Sequence, residues 1–142
     1  MKKLLILLLL FAGVIHPLFA ETTDTIDYWI VYLNNKKIHE YNMYDKHEIV
    51  LKAHALNVSD SIIVRYGSDT PCAECFIYLE VKSDKHTVLS VKAQGEFNPL
   101  SFSLKALIEE KKKSGKTYFD VFYHEDELVA SEKRLIFRIK LE

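Results

Sequence analysis

The chain has 142 residues, of which 49% are hydrophobic, and a formal net charge of −1. Without residues 1–20, which have the layout of a secretory leader, Lys2 and Lys3 are lost and 17 basic residues remain against 20 acidic ones. This acidic excess argues against a nucleic-acid binder, and the apolar content with few glycines and prolines argues against disorder or a collagen-like repeat.

The N-terminus has the three-part organisation of a signal peptide. Two lysines precede an apolar run over residues 4–15, and Ala20 ends a short stretch that suits cleavage. As a helix, the run spans about 18 Å, less than the roughly 30 Å hydrocarbon core of a bilayer. We expect cleavage after Ala20, a single exported domain over residues 21–142, and no membrane span in that domain. An uncleaved N-terminal anchor is the alternative.

Alternation with a period of two residues dominates the exported part and predicts β-strands. In the strand predicted at 76–82, Ile77, Leu79 and Val81 face inward. In the last strand, Leu135 shares a side with Phe137 and two further apolar residues. The strands are predicted over residues 28–33, 38–44, 47–54, 61–66, 76–82, 87–93, 116–123 and 133–141.

One segment has helical spacing instead. Leu104, Leu107 and Ile108 recur as on one face of a helix, Ser103 or Ser101 can cap its first turn, and a glycine follows. We predict a short helix at 104–114. Seven to nine short strands with one helix predict a mainly all-β fold, an antiparallel β-sandwich of immunoglobulin-like shape.

The motif Cys72-x-x-Cys75 is the clearest chemical signal. In an exported chain the pair is expected to form a structural disulfide that pins a turn before the strand at 76–82. A redox-active dithiol would need a helix N-terminus or a cation beside the sulfurs, whereas a strand follows and Asp69 and Glu74 are the nearest charges. The disulfide is therefore preferred over the redox dithiol.

A metal site is the third interpretation of the cysteine pair. Two thiolates are half of a closed zinc site, and no second CxxC motif is present. Histidines could complete the site in principle, but none has a spacing to the cysteines that indicates this. They are His39, His47, His54, His86 and His124. We therefore predict no metal and no cofactor.

Aromatic residues supply the last signal. Phe76 and Tyr78 lie on the side of their strand opposite the inferred core, and Tyr118 and Phe122 share one side of another strand, whose core side the alternation leaves undecided. Exposed together, these four rings would form a binding surface for a protein or a carbohydrate. Burial under the helix, a loop or the second sheet is the alternative.

The sequence contains no nucleophile motif, paired general acid and base, or glycine-rich phosphate loop. We therefore expect a non-catalytic binding or structural module of the cell envelope or extracellular space, periplasmic, cell-surface or secreted. The alternative function is an exported thiol-disulfide or metal-handling protein that uses Cys72 and Cys75.

Overall fold

The computed structural model describes residues 27–45, 47–68, 71–125 and 133–142. The predicted leader and its cleavage site lie outside these residues. In the part of the chain that is described, no helix has the length and apolar character needed to cross a membrane.

The described residues contain nine strands, one α-helix and one 3-10 turn. The strands are β1 (Tyr28–Leu33), β2 (Lys36–Asn42), β3 (Glu48–Leu51), β4 (Ser61–Gly67), β5 (Phe76–Ser83), β6 (His86–Gln94), β7 (Leu100–Ser103), β8 (Tyr118–Glu125) and β9 (Arg134–Leu141). The helix α1 is Lys105–Ser114, and the 3-10 turn is Ala53–Ala55.

The strands form two sheets that pack against each other. The four-stranded sheet has the order β2-β1-β4-β7, and the five-stranded sheet has the order β3-β9-β8-β5-β6. Every pairing is antiparallel except that of β3 with β9, which is parallel. The predicted all-β sandwich is therefore confirmed, whereas the immunoglobulin-like shape is not, and the sheets are not antiparallel throughout.

The core lies between the sheets and follows the alternation of the sequence. Trp29 and Val31 of β1 are fully buried, as are Ile77, Leu79 and Val81 of β5. On β8 the buried side is Phe119, Val121 and Tyr123, so Tyr118 and Phe122 point away from the core. Each buried side chain of this size stabilises the fold by about 1.5–3 kcal/mol.

The last strand departs from the predicted alternation. Leu135 is 50% exposed, whereas Ile136 and Phe137 are both buried. A register shift between Val121 and Phe122 of β8 is the cause, because it pairs Phe122 with Leu135 and Val121 with Phe137. The prediction that Leu135 shares one side of its strand with Phe137 is therefore wrong.

The helix is confirmed to within one residue of the predicted start. Leu104 and Leu107 are buried, and the hydroxyl of Ser103 accepts a hydrogen bond from the amide of Lys105 at 3.1 Å. The helix ends at Gly115, where φ is +73° and the amide donates to the carbonyl of Lys111.

Candidate thiol–carboxylate site and aromatic surface

The two cysteines lie in the connection between β4 and β5. They are free thiols, and the amide of Cys75 donates a hydrogen bond to Sγ of Cys72 at 3.0 Å. The Cys75 thiol in turn points to the carbonyl oxygen of Cys72, with an S···O distance of 3.6 Å. The structure therefore does not show the predicted disulfide, and each sulfur instead contacts a backbone atom of the other residue.

A second loop is tied to this cysteine turn. Gly95 follows β6, and its amide donates to the carbonyl of Cys75 at 2.7 Å, while the amide of Glu96 donates to the carbonyl of Cys72 at 3.0 Å. Gly95 has φ of +76°, and a Cβ atom there would lie 2.6 Å from the carbonyl oxygen of Ala73. Glycine is therefore required for the two loops to come this close.

The loops bring a thiol and two carboxylates together. One ligand atom each from Cys75, Glu96 and Glu125 lie within 4.8 Å of one another. Glu125 is the last residue of β8 and pairs with Ile77 of β5, two residues after Cys75. With Cys72, which contacts Cys75 directly, these residues form what we name the thiol–carboxylate cluster.

Hydroxyl groups support both carboxylates from outside the cluster. Ser68 donates to Oε2 of Glu96 at 2.8 Å, and Tyr123 donates to Oε1 of Glu125 at 3.0 Å. Burial raises the pKa of the Tyr123 hydroxyl, and the charge on Glu125 raises it further, so that this group remains a proton donor. Glu96 is only 5% exposed.

The environment of Cys75 disfavours its thiolate when no cation is bound. Burial raises the pKa of the Cys75 thiol to about 12, with further contributions from Cys72 and from the charges of Glu125 and Glu96. Reactive cysteines have a lowered pKa and a cation or helix N-terminus nearby. The raised pKa of Cys75 thus gives no support to the redox-active interpretation.

Glu96 and Glu125 were not expected near the cysteines from the sequence. The charges expected next to the thiols were Asp69 and Glu74, but Asp69 lies outside the described residues and Glu74 is exposed. None of the histidines considered as metal ligands contributes an atom to the group found in the described residues. No local motif marks either glutamate, since both reach the cysteines only through the pairing of strands.

The four predicted surface rings share one side of the five-stranded sheet. Phe76 and Tyr78 of β5 alternate with buried residues, as do Tyr118 and Phe122 of β8, so all four point away from the core. Tyr78 pairs with His124, and their rings stack with centroids 4.8 Å apart. Tyr118 is 47% exposed and the other three rings are half-buried by their neighbours on this surface.

Basic side chains lie over these rings. The ammonium of Lys92 is 3.5 Å from the ring centroid of Phe76 and 5.4 Å from that of Tyr78. Lys82 lies 5.1 Å from the centroid of Phe122. Over Tyr118, the guanidinium of Arg138 is 5.7 Å from the centroid and the ammonium of Lys140 is 6.0 Å from it. We name the four rings with these four basic residues the aromatic–cation surface.

No protein-family model matches this chain, and no curated protein is significantly similar to it.

Proposed function

We propose that this protein is an exported, non-catalytic binding module of the cell envelope or extracellular space, and that it binds its partner through the aromatic–cation surface. The observation that carries the proposal is that Phe76, Tyr78, Tyr118 and Phe122 share the side of the five-stranded sheet that the four-stranded sheet does not cover. Aromatic residues and arginine are the residue types most enriched where binding energy is concentrated.

The partner that this surface fits best is the acidic surface of another protein. A neutral sugar would stack on a bare ring, but the nearest cation to Phe76 is only 3.5 Å from its centroid and would have to move. Carboxylates of a protein partner would instead meet Lys92 where it already lies, whereas the other three basic groups each pair with a carboxylate of this chain, Lys82 with Glu80, Arg138 with Asp120 and Lys140 with Glu142. Lys92 is the best placed of the four basic groups, since it forms no ion pair with any carboxylate in the described part of the chain.

Photo-crosslinking in the source cell tests the partner. A photoreactive phenylalanine analogue replaces Phe122, and the matched control replaces Tyr32, a ring on β1 of the other sheet that also has a cation over it, Arg65 at 5.9 Å. We expect a discrete protein adduct from position 122, none from position 32, and loss of the adduct when Lys92→Glu is added. Equal adducts from both positions, or none from position 122, would overturn the proposed surface.

Two further measurements test the rest of the proposal. Electrophoresis in gels that contain a neutral polysaccharide tests for a carbohydrate partner. Retardation of the protein that Tyr118→Ala abolishes would show that the partner is a carbohydrate and not a protein. Cell fractionation tests export: we expect the full chain outside the cytosol and a variant without residues 1–20 inside it. A full chain that stays in the cytosol would contradict the location.

Of the two alternative functions, an exported thiol-disulfide protein and an exported metal-handling protein, only metal handling has support. The raised pKa of Cys75 speaks against thiol-disulfide chemistry. The approach of Glu96 and Glu125 to the thiol of Cys75 favours metal binding.

A further inference from the structure

We propose that the thiol–carboxylate cluster binds one divalent cation of borderline softness, of which zinc is the best example. The ligands are the two thiols of the CxxC turn and the carboxylates of Glu96 and Glu125. This site is separate from the aromatic–cation surface, because Cys75 packs against the core and Glu125 alternates with the outward-pointing His124 on β8.

The spacing of the donor atoms suits a tetrahedral ion. Zinc binds sulfur at about 2.3 Å and carboxylate oxygen at about 2.0–2.2 Å, which places neighbouring ligand atoms roughly 3.5 Å apart. The donors of Cys75, Glu96 and Glu125 already lie within 4.8 Å of one another, so rotations of their side chains suffice to close the sphere. We assign the fourth ligand to Cys72, which lies outside the group within 4.8 Å, because it belongs to the same turn and its sulfur contacts the amide of Cys75 at 3.0 Å.

The donor types also select the cation. Thiolate with carboxylate suits zinc, whereas magnesium and calcium prefer sites made of oxygen alone. Hydroxyls of Ser68 and Tyr123 donate to the two carboxylates at 2.8 and 3.0 Å. Donors of this kind orient metal-binding carboxylates and fix which oxygen faces the ion.

The burial of Glu96 is an independent indication of a cation. Its side chain is 5% exposed, and no lysine or arginine of the described ranges forms an ion pair with it. A buried carboxylate is costly unless a positive charge or a metal compensates it. A second carboxylate and a thiol next to it increase that cost, and a bound divalent cation removes it.

The fold holds the ligands before the ion arrives. The cysteine turn and the Gly95 loop are joined by two backbone hydrogen bonds of 2.7 and 3.0 Å. Glu125 enters from β8, which is hydrogen-bonded to β5 immediately after the cysteine turn. Three separate segments therefore converge, which limits the conformational entropy lost on binding.

Metal titration of the purified full chain, reduced and stripped with a chelator, tests the site. We expect one zinc ion per chain by elemental analysis, and cobalt(II) should give the intense ultraviolet charge-transfer band of a cobalt–thiolate bond with the visible bands of tetrahedral coordination. Affinity is measured by competition with a chromophoric chelator. Cys75→Ser and Glu125→Gln should each weaken zinc binding by at least about tenfold.

Glu74→Gln is the matched control, because Glu74 lies between the two cysteines and is exposed. It should leave the zinc affinity unchanged. Circular dichroism of each metal-free variant verifies folding, and the isosteric Glu125→Gln change keeps the test decisive if Cys75→Ser does not fold. Substoichiometric zinc, affinity that neither cluster variant reduces, or a cobalt spectrum without the thiolate band would overturn the site, whatever the crosslinking at Phe122 shows.

Discussion

The amide of Glu96 donates a hydrogen bond of 3.0 Å to the carbonyl oxygen of Cys72. This bond joins the connection after β4 to the turn after β6, and a second bond from Gly95 to Cys75 lies beside it. The positions of the thiols and of the Glu96 carboxylate are therefore coupled, so that a change in either loop alters the thiol–carboxylate cluster as a whole.

The first prediction concerns Gly95. Gly95→Ala should destabilise the protein by about 3 kcal/mol, because it combines a left-handed backbone conformation with a Cβ atom 2.6 Å from the carbonyl oxygen of Ala73. The same variant should bind zinc more weakly, since the loops must separate. Urea unfolding and the chelator competition measure the two effects.

Gly115→Ala is the control for this prediction. Gly115 has a similar φ of +73°, but a Cβ atom there meets nothing within 4 Å. Its substitution should therefore cost only about 1 kcal/mol and leave metal affinity unchanged. Equal destabilisation by the two variants would show that the close approach of the loops is unimportant.

The second prediction tests the irregularity in β9. Leu79→Ala should cost about 2–5 kcal/mol, because Leu79 is completely buried. Leu135→Ala should cost less than about 0.5 kcal/mol, because Leu135 is 50% exposed on the outer side of the sheet. Denaturant unfolding of both variants is the measurement. A large destabilisation by Leu135→Ala would show that Leu135 belongs to the core and would contradict the prediction.

The third prediction is a pH dependence at Glu80. A hydrogen bond from Lys133 is the largest cause that holds the pKa of Glu80 below its usual value; burial opposes it and Lys82 adds to it. The unfolded chain therefore takes up a proton at Glu80 at a higher pH than the folded protein, and stability falls as the pH drops below about 4.5. Above that pH, the interaction is fully present.

Glu80→Gln measures this contribution. At neutral pH the substitution should cost about 1 kcal/mol, since both lysine partners are partly exposed. The difference from the native protein should shrink as the pH falls below about 4.5, where Glu80 is protonated first in the unfolded chain and then, at lower pH, in the folded protein. Unfolding curves across this range test the sign, and a difference that grows toward acid pH would contradict it.

The fourth prediction concerns the cysteines without metal. With both thiols reduced, changing Cys72 and Cys75 together to serine should alter stability by less than about 1 kcal/mol, because no disulfide joins them and neither residue is fully buried. Oxidation of the native pair to a disulfide should add at most about 2 kcal/mol, as the closed loop has only four residues. Unfolding with and without a reductant compares the two, and failure of the reduced double variant to fold would contradict the expectation.

Much of the sandwich could be predicted because alternation is a local property. Ile77, Leu79 and Val81 are buried as expected, and α1 begins within one residue of its predicted start. The short strand β7 was missed, because Leu100 and Phe102 give only two inward positions before the helical spacing begins. The exposed Leu135 was missed because a register shift depends on the partner strand, which local alternation does not reveal.

The amino-acid order by itself determined which side chains must be hidden from water, and with them the strands, the helix and the outward direction of Phe76 and Tyr78. Tertiary structure alone decided that Glu96 and Glu125 meet Cys75 and that basic groups cover the outer rings. Whether a residue is buried depends largely on its own hydrophobicity, so burial produces a periodic pattern of apolar residues along the sequence. A cluster of ligands depends on which distant strands become neighbours in the fold, and no local sequence pattern indicates that pairing.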